Sequence, residues 1–105
     1  MTDTELRELQ RVTLDEVERG QILLVLANAY PRRLTPKVLR YLLKERCYDL
    51  DSDKLDFHIE YLREKGGWVS IEGCERSGQA RPVRITPAGI DLIDRRKLGE
   101  TGVVI

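Results

Sequence analysis

Apolar residues in the first third of the chain recur at helical spacing. Residues 1–13 have weak periodicity and fit either an arm or a frayed helix, whereas a helix is predicted from Leu14 onwards. Its main apolar face has i, i+3, i+4, i+7 spacing and consists of Ile22, Val25, Leu26 and Ala29. A second apolar stripe beside it consists of Leu23, Ala27 and Tyr30. Because this helix is apolar on two sides, it is either central to the fold or shared with a partner chain.

Pro31 ends the first helix, and Thr35-Pro36 predicts the start of a second one. Thr35 can cap the free amides, and proline suits the first helical position. The residues predicted to face inward are Val38, Leu39, Leu42 and Leu43. The solvent side then carries a basic stripe made of Lys37, Arg40 and Lys44.

A third helix is predicted to begin after Asp51, which is a suitable N-cap. Leu50 and Leu55 stand at the two positions of a hydrophobic staple. The buried stripe of this helix is predicted to consist of Leu55, Ile59 and Leu62. The pair Gly66-Gly67 ends it.

After these glycines the apolar period changes from helical to alternating. Val69 and Ile71 alternate with polar residues, as do Val83 and Ile85, so residues 69–86 are predicted to form a two-stranded hairpin with a polar loop. Thr86-Pro87 then begins a fourth helix that is predicted to reach about residue 97.

The element order predicts an α+β fold that is mainly α. A three-helix core followed by a two-stranded β wing and a C-terminal helix is the arrangement of a winged helix-turn-helix. We assign residues 14–98 to this single domain and residues 99–105 to a C-terminal tail.

Two stretches of the sequence resemble a known group of proteins. The segments LDFHIEYLREKGGWVSIEG and RPVRITPAGIDLI resemble the end of winged-helix regulators of the MarR, PadR and ArsR type. In that group a third helix runs into wing strands and then into a helix that begins LTP-x-G. The small size and plain tail look more narrowly like the winged-helix proteins of Mu-like prophages. The resemblance implies a DNA-binding transcriptional regulator of phage or prophage type, and its motifs are more specific for the fold than for the function.

Charge is balanced overall but unevenly distributed. The chain has 18 basic and 18 acidic residues among 105, so it has no net field that attracts nucleic acid. Residues 31–46 hold six bases against one acid, whereas residues 1–20 and 47–65 each hold six acids against three bases. A local basic patch can still bind phosphate.

The candidate nucleic-acid contacts follow from this patch. Bases of the second helix and wing would contact phosphates, and two residues would flank the start of the third helix. The full set is Arg32, Arg33, Lys37, Arg40, Lys44, Ser52, Lys54, Arg76 and Arg81.

The outward face of the third helix is unfavourable for ordinary docking in the major groove. It carries Asp53, Glu60 and Glu64, and it lacks Arg, Asn and Gln, the usual readers of bases. Either these acids form a solvated face, or Phe57 and Tyr61 mark a contact with another protein. Two hypotheses therefore stand: a homodimeric DNA-binding regulator, and an interaction module or adaptor that has lost DNA reading.

Catalytic, metal and membrane functions have little support in the sequence. The chain has one histidine, His58, and two distant cysteines, Cys47 and Cys74, which are too few for a structural zinc site. His58 is predicted to lie at the core edge, and Trp68 to pack half-buried between wing and third helix. We expect no enzyme activity, metal or cofactor. No apolar run is long enough for a membrane span and the N-terminus is polar, so we expect a soluble, cytoplasmic protein.

Overall fold

The computed structural model describes residues 2–72 and 81–95, apart from the side chains of residues 11 and 12. Over these residues the chain is mainly helical with one small antiparallel sheet, which confirms the predicted α+β class. The elements in chain order are α1 (Asp3–Ala29), α2 (Pro36–Glu45), α3 (Ser52–Gly66), β1 (Val69–Ile71), β2 (Val83–Ile85) and α4 (Pro87–Arg95).

Helix α1 begins well before Leu14. Thr2 caps it in a capping box with Glu5, so the segment considered either an arm or a frayed helix is helical from Asp3. The second half of α1 packs against α2, α3, α4 and β2, which makes it the central helix of the fold. Leu23, in the second predicted stripe, is fully buried inside the chain, whereas Tyr30 stays exposed at the C-cap.

Helices α2 and α3 begin at the predicted caps. The Thr35 hydroxyl accepts from the Val38 amide at 3.3 Å, and the Asp51 carboxylate accepts from the Lys54 amide at 2.7 Å. Leu39 is fully buried, but Val38 is 44% exposed, so its predicted inward position is wrong. Neighbouring residues on a helix point about 100° apart, and α2 packs on one side only.

Strands β1 and β2 form the predicted ribbon. Val69 pairs with Ile85 and Ile71 with Val83, which directs Val69, Val83 and Ile85 into the core. Leu34, just before α2, extends this sheet by exchanging two backbone hydrogen bonds of 2.8 Å with Val83. We call the β1–β2 pair the β-ribbon. The predicted loop runs from residue 73 to 81, and its residues 73–80, with Arg76, lie outside the described residues.

The turn from α3 into β1 brings both ends of the β-ribbon against the helices. Gly67 ends α3 in the left-handed conformation, with φ of 62°, which favours glycine. Trp68 follows and is buried, at 8% exposure, rather than half-buried. The Thr86 hydroxyl donates to the Gly67 carbonyl at 2.6 Å and accepts from the Gly89 amide at 3.2 Å, which fixes the start of α4. Helix α4 is described to Arg95, and the predicted tail of residues 99–105 lies beyond it.

Candidate functional site

A concave cleft of about 760 Å³ lies between α2, α3 and the β-ribbon. We call it the main cleft. Its floor is apolar, and its walls carry charges of both signs. The lining residues are Pro36, Lys37, Arg40, Ser52, Asp56, Ile59, Glu60, Ile71, Arg81 and Val83.

Three cations reach the main cleft from distant parts of the sequence. Lys37 and Arg40 come from α2, and Arg81 comes from the entry to β2. The Arg40 guanidinium donates to the Leu50 carbonyl at 3.0 Å and to the Ser52 hydroxyl at 3.1 Å. Both acceptors are neutral, so they orient the guanidinium without cancelling its charge. Among the described residues, neither Lys37 nor Arg81 forms an ion pair.

The α3 wall of the same cleft is acidic. Asp56 and Glu60 line it one helical turn apart, on the outward side of the buried residue Ile59. Glu60 is engaged by Arg63, whose guanidinium lies 2.6 Å from its carboxylate. Asp56 is exposed. The main cleft therefore has a cationic rim on the α2 and ribbon side and a negative rim on the α3 side.

The structure places the other predicted phosphate contacts elsewhere. Arg33 pairs with Glu72 at 2.6 Å, and Lys54 pairs with Asp15 at 2.6 Å on the α1 side of α3. Arg32 and Lys44 are exposed but do not line the main cleft. Of the predicted set, the described structure brings together Lys37, Arg40, Ser52 and Arg81.

A second polar feature is buried where α1 meets α3. Glu18, Arg19 and His58 are 6%, 7% and 0% exposed, so His58 lies inside the core rather than at its edge. The Arg19 Nε donates to His58 Nδ1 at 3.2 Å. Because a guanidinium can only donate, Nδ1 must be an acceptor and the ring proton must sit on Nε2. His58 Nε2 then donates to the Glu18 carboxylate at 3.2 Å.

This arrangement keeps the imidazole neutral. Burial and the positive charge of Arg19 lower the pKa of His58, and together they outweigh the opposing effect of Glu18. Nearby, partial burial tends to raise the pKa of Asp15, but the hydrogen bond and charge of Lys54 outweigh it and hold that pKa below its usual value. The interface between α1 and α3 is thus a satisfied polar network.

The same cluster has some of the features of a metal site, because Asp15, Glu18 and His58 can bring ligand atoms within 4.8 Å of one another. A metal ion would need the lone pair of His58 Nε2, which moves the ring proton to Nδ1. That proton would face the Arg19 N–H group, which now donates to Nδ1. Asp15 is also held by Lys54. The donor set is therefore better matched to the internal ion pairs than to a cation.

Phe57 and Tyr61, the predicted protein-contact residues, both lie over Arg19. The guanidinium carbon is 3.7 Å from the centre of the Tyr61 ring and 5.7 Å from that of Phe57. Phe57 is 55% exposed, whereas Tyr61 is half-buried against the core. The roles of Glu18 and Arg19 were not predicted, because the contact between α1 and α3 joins residues that are far apart in the sequence. The one available signal was the position of His58 next to a buried stripe, where a histidine needs a polar partner.

Comparison with known proteins does not assign a family. No protein-family model matches the chain, and the search of curated proteins gave no significant match. Within the described residues, no helix is both long enough and apolar enough to cross a membrane. A proposed function must therefore rest on the geometry of the main cleft and of the α1–α3 network.

Proposed function

We propose that this chain is a winged-helix DNA-binding protein that holds a duplex by its phosphates through the main cleft. The succession of three helices, a β-ribbon and a fourth helix supports the winged-helix part of the proposal. A role in transcription regulation, of phage or prophage type, goes with the resemblance to MarR, PadR and ArsR regulators.

One observation carries the proposal: Lys37, Arg40 and Arg81 converge on one cleft although the sequence separates α2 from the β-ribbon. Their charges are free of acidic partners among the described residues, and Arg40 is held in place by neutral groups. Cations gathered on one cleft can neutralise neighbouring phosphates of a duplex, and the release of counterions that follows favours binding.

The acidic face of α3 limits how the duplex is held. Asp53 and Asp56 would meet the negative potential of the major groove if α3 entered it deeply. We therefore place the duplex against α2 and the β-ribbon, where contacts are to phosphates and carry no base information. Binding with weak sequence discrimination follows from this arrangement.

The proposal is tested by titrating a labelled random-sequence duplex at two salt concentrations with fluorescence anisotropy. The double variant Lys37→Ala, Arg81→Ala should bind more weakly. Its log–log salt slope should be less steep by about 0.9 for each phosphate that the variant no longer neutralises. Arg95→Ala, which removes an exposed cation from the end of α4, is the matched control.

Two results would contradict phosphate binding at the main cleft. One is undetectable duplex binding by the wild-type chain at low salt. The other is a loss of affinity in the Arg95→Ala control that is equal per charge removed, which would indicate a diffuse effect of total charge.

A second candidate function, a protein-interaction module, is favoured by the exposure of Phe57. This ring is 55% exposed on an acidic helix face, and exposed aromatic side chains are enriched at the centres of interfaces. Its carboxylate neighbours would suit a basic partner. Tyr61 is half-buried, so in this second candidate function it would hold Arg19 in place and would contribute little direct contact with the partner.

The two candidates are separated by a capture experiment. A partner retained by the wild-type chain and by Tyr41→Ala, but absent with Phe57→Ala, would favour the interaction module. Tyr41 is the matched control because it is an aromatic residue of α2 with 63% exposure. Duplex binding that is unchanged in Phe57→Ala, with no partner retained, would favour the nucleic-acid function.

A further inference from the structure

The floor of the main cleft has no role when a duplex is held by its phosphates. The floor is apolar and includes Pro36, Ile59, Ile71 and Val83, whereas the cations stand on the rim. The cleft volume of about 760 Å³ lies within the range of roughly 300–1,000 Å³ over which pockets bury most of a small organic ligand. In a duplex the bases are stacked and paired inside the helix, so a backbone held on the rim leaves this floor open.

The rim of the cleft has two sources of positive potential. Lys37 and Arg40 of α2 and Arg81 at the entry to β2 supply full charges. Pro36 and Ser52 are the first residues of α2 and α3, so the positive ends of two helix dipoles border the same cleft. In a single strand the base can turn away from its phosphates. A nucleotide can then place phosphate at this rim and its base on the floor.

Asp56 is the free hydrogen-bond acceptor of the cleft. It is exposed on the α3 wall, and among the side chains described for residues 2–72 and 81–95 its carboxylate has neither an ion pair nor a hydrogen-bond donor. Glu60, one turn further along, is instead bound by the Arg63 guanidinium through hydrogen bonds of 3.2 and 2.6 Å. A carboxylate repels phosphate and can only accept hydrogen bonds, so the ligand group that suits Asp56 is an uncharged donor.

We propose that the main cleft binds an unpaired guanine of single-stranded DNA. The base lies on the apolar floor, its flanking phosphates lie at the cationic rim, and the Asp56 carboxylate accepts hydrogen bonds from its Watson–Crick edge. Proteins commonly bury and read the bases of single strands in this way. The inference rests on the proposed function in taking DNA as the ligand of the main cleft, and it adds the recognition of a base, which the duplex contacts lack.

Two adjacent donors select guanine among the four bases. Its Watson–Crick edge presents the N1–H group and the 2-amino group side by side, and these match the two oxygens of one carboxylate. The amino groups of adenine and cytosine each stand next to a ring nitrogen that accepts, and thymine places its single N3–H group between two carbonyls. In each of these three bases a carboxylate that binds the donor also meets an acceptor, which is repulsive.

Fluorescence anisotropy with short single-stranded probes tests this proposal. The reference probe is an oligothymidine, and the other probes replace its central dT by dG, dA or dC. The dG probe should bind about tenfold more tightly than the other three, because a bidentate pair discriminates between bases by about this factor. Annealing each probe to its complement should remove the difference, since base pairing occupies the edge that Asp56 reads.

The variant Asp56→Asn tests the residue. An amide offers one acceptor and one donor in place of two acceptors, so this variant should lose the preference for dG while it binds the oligothymidine at least as tightly as the wild type does. Asp53→Asn is the matched control, because Asp53 is an exposed acid of the same helix that does not line the main cleft. This control should keep the preference.

A probe with a central deoxyinosine separates the hydrogen bond from the stacking of the base. Its base lacks the 2-amino group of guanine and keeps the N1–H group. It should bind the wild type about tenfold less tightly than the dG probe does, because one charge-assisted hydrogen bond is lost. It should bind Asp56→Asn no less tightly than the dG probe does.

The results distinguish a failure of this inference from a failure of the proposed function. Equal affinity of the wild type for all four single-stranded probes would overturn guanine recognition and would leave the duplex titration unaffected. An unchanged dG preference in Asp56→Asn, or an equal loss of it in Asp53→Asn, would overturn the role of Asp56. A dG preference without any binding of a duplex would confirm the reading of the base and would contradict the duplex as a ligand.

Discussion

Arg19 and His58 are joined across the interface between α1 and α3 by a hydrogen bond of 3.2 Å from the Arg19 Nε to the His58 Nδ1. The bond settles the tautomer of the ring, and with it the direction of the second bond, from His58 Nε2 to Glu18. A neutral imidazole thus separates two oppositely charged groups that are both more than nine-tenths buried.

The free energy of unfolding is expected to fall when the pH drops below about 6.5, the ordinary pKa of histidine. Burial and Arg19 lower the pKa of His58 in the folded chain, so the unfolded chain binds the proton first. Stability is then complete above the unfolded pKa and declines towards the lower folded pKa. Urea unfolding at pH 7.5 and pH 5 measures this. The carboxyl of Asp15, whose pKa is lowered, loses its contribution only at more acidic pH.

His58→Gln is the control for this pH dependence, because glutamine can also accept from Arg19 and donate to Glu18. Since His58 is the only histidine of the chain, the slope between pH 5 and 7 should disappear in this variant. His58→Ala should instead lose about 1–3 kcal/mol at neutral pH, because Arg19 and Glu18 each lose a buried hydrogen-bond partner. A slope that persists in His58→Gln would contradict the assignment to this residue.

The ion pair between Lys54 and Asp15 should contribute to stability and not to duplex binding. Their side chains are 36% and 18% exposed, so a double-mutant cycle with Lys54→Ala and Asp15→Ala should give a coupling free energy of about 0.5–1 kcal/mol. Lys54→Ala should leave duplex affinity close to that of the wild type, because the charge is already neutralised. A loss of duplex affinity comparable with that of Lys37→Ala would indicate that Lys54 contacts a phosphate.

Lys54 illustrates which features could be predicted from the sequence and which could not. Its position at the start of α3 could be predicted because Asp51 caps the helix locally, and Thr35 marked the start of α2 in the same way. Its partner could not, because Asp15 lies 39 residues earlier and on a helix whose orientation is set by packing. The burial of His58 and the convergence of Arg81 with Lys37 depend on tertiary packing for the same reason.

The two glycines that end α3 should respond to alanine for different reasons. A Cβ at Gly66 would overlap the Cε2 and Cζ2 atoms of the Trp68 ring, so Gly66→Ala must displace a buried indole and should cost about 1–3 kcal/mol. Gly67→Ala meets no neighbouring atom, but its φ of 62° should cost about 1 kcal/mol. Trp68 is the only tryptophan of the chain, so its fluorescence should shift to the red in Gly66→Ala alone. Identical spectra in both variants would contradict this packing.

The two aromatic residues over Arg19 should differ in their effect on folding. Tyr61→Ala removes the ring 3.7 Å from the guanidinium carbon and opens the polar network, so a loss of about 2 kcal/mol is expected. Phe57→Ala removes a more distant and more exposed ring and should cost less than about 1 kcal/mol. Urea unfolding at neutral pH measures both. Equal losses would mean that Phe57 is part of the packed network and is not available to a partner.

Removal of an acidic group from the main cleft should tighten the binding of a duplex. Asp56 lines the cleft that also holds Lys37 and Arg81, and its carboxylate would repel a phosphate placed between them. Asp56→Asn keeps the shape of the side chain and should raise affinity about threefold at low salt, with a smaller gain at high salt because exposed charges are screened. Asp91→Asn, an equal change of charge on the exposed face of α4, is the control and should have little effect. Anisotropy titrations measure the duplex affinity of the wild type and both variants. An equal increase of affinity in both variants would indicate a response to net charge. No increase in Asp56→Asn would mean that the phosphates lie away from the main cleft.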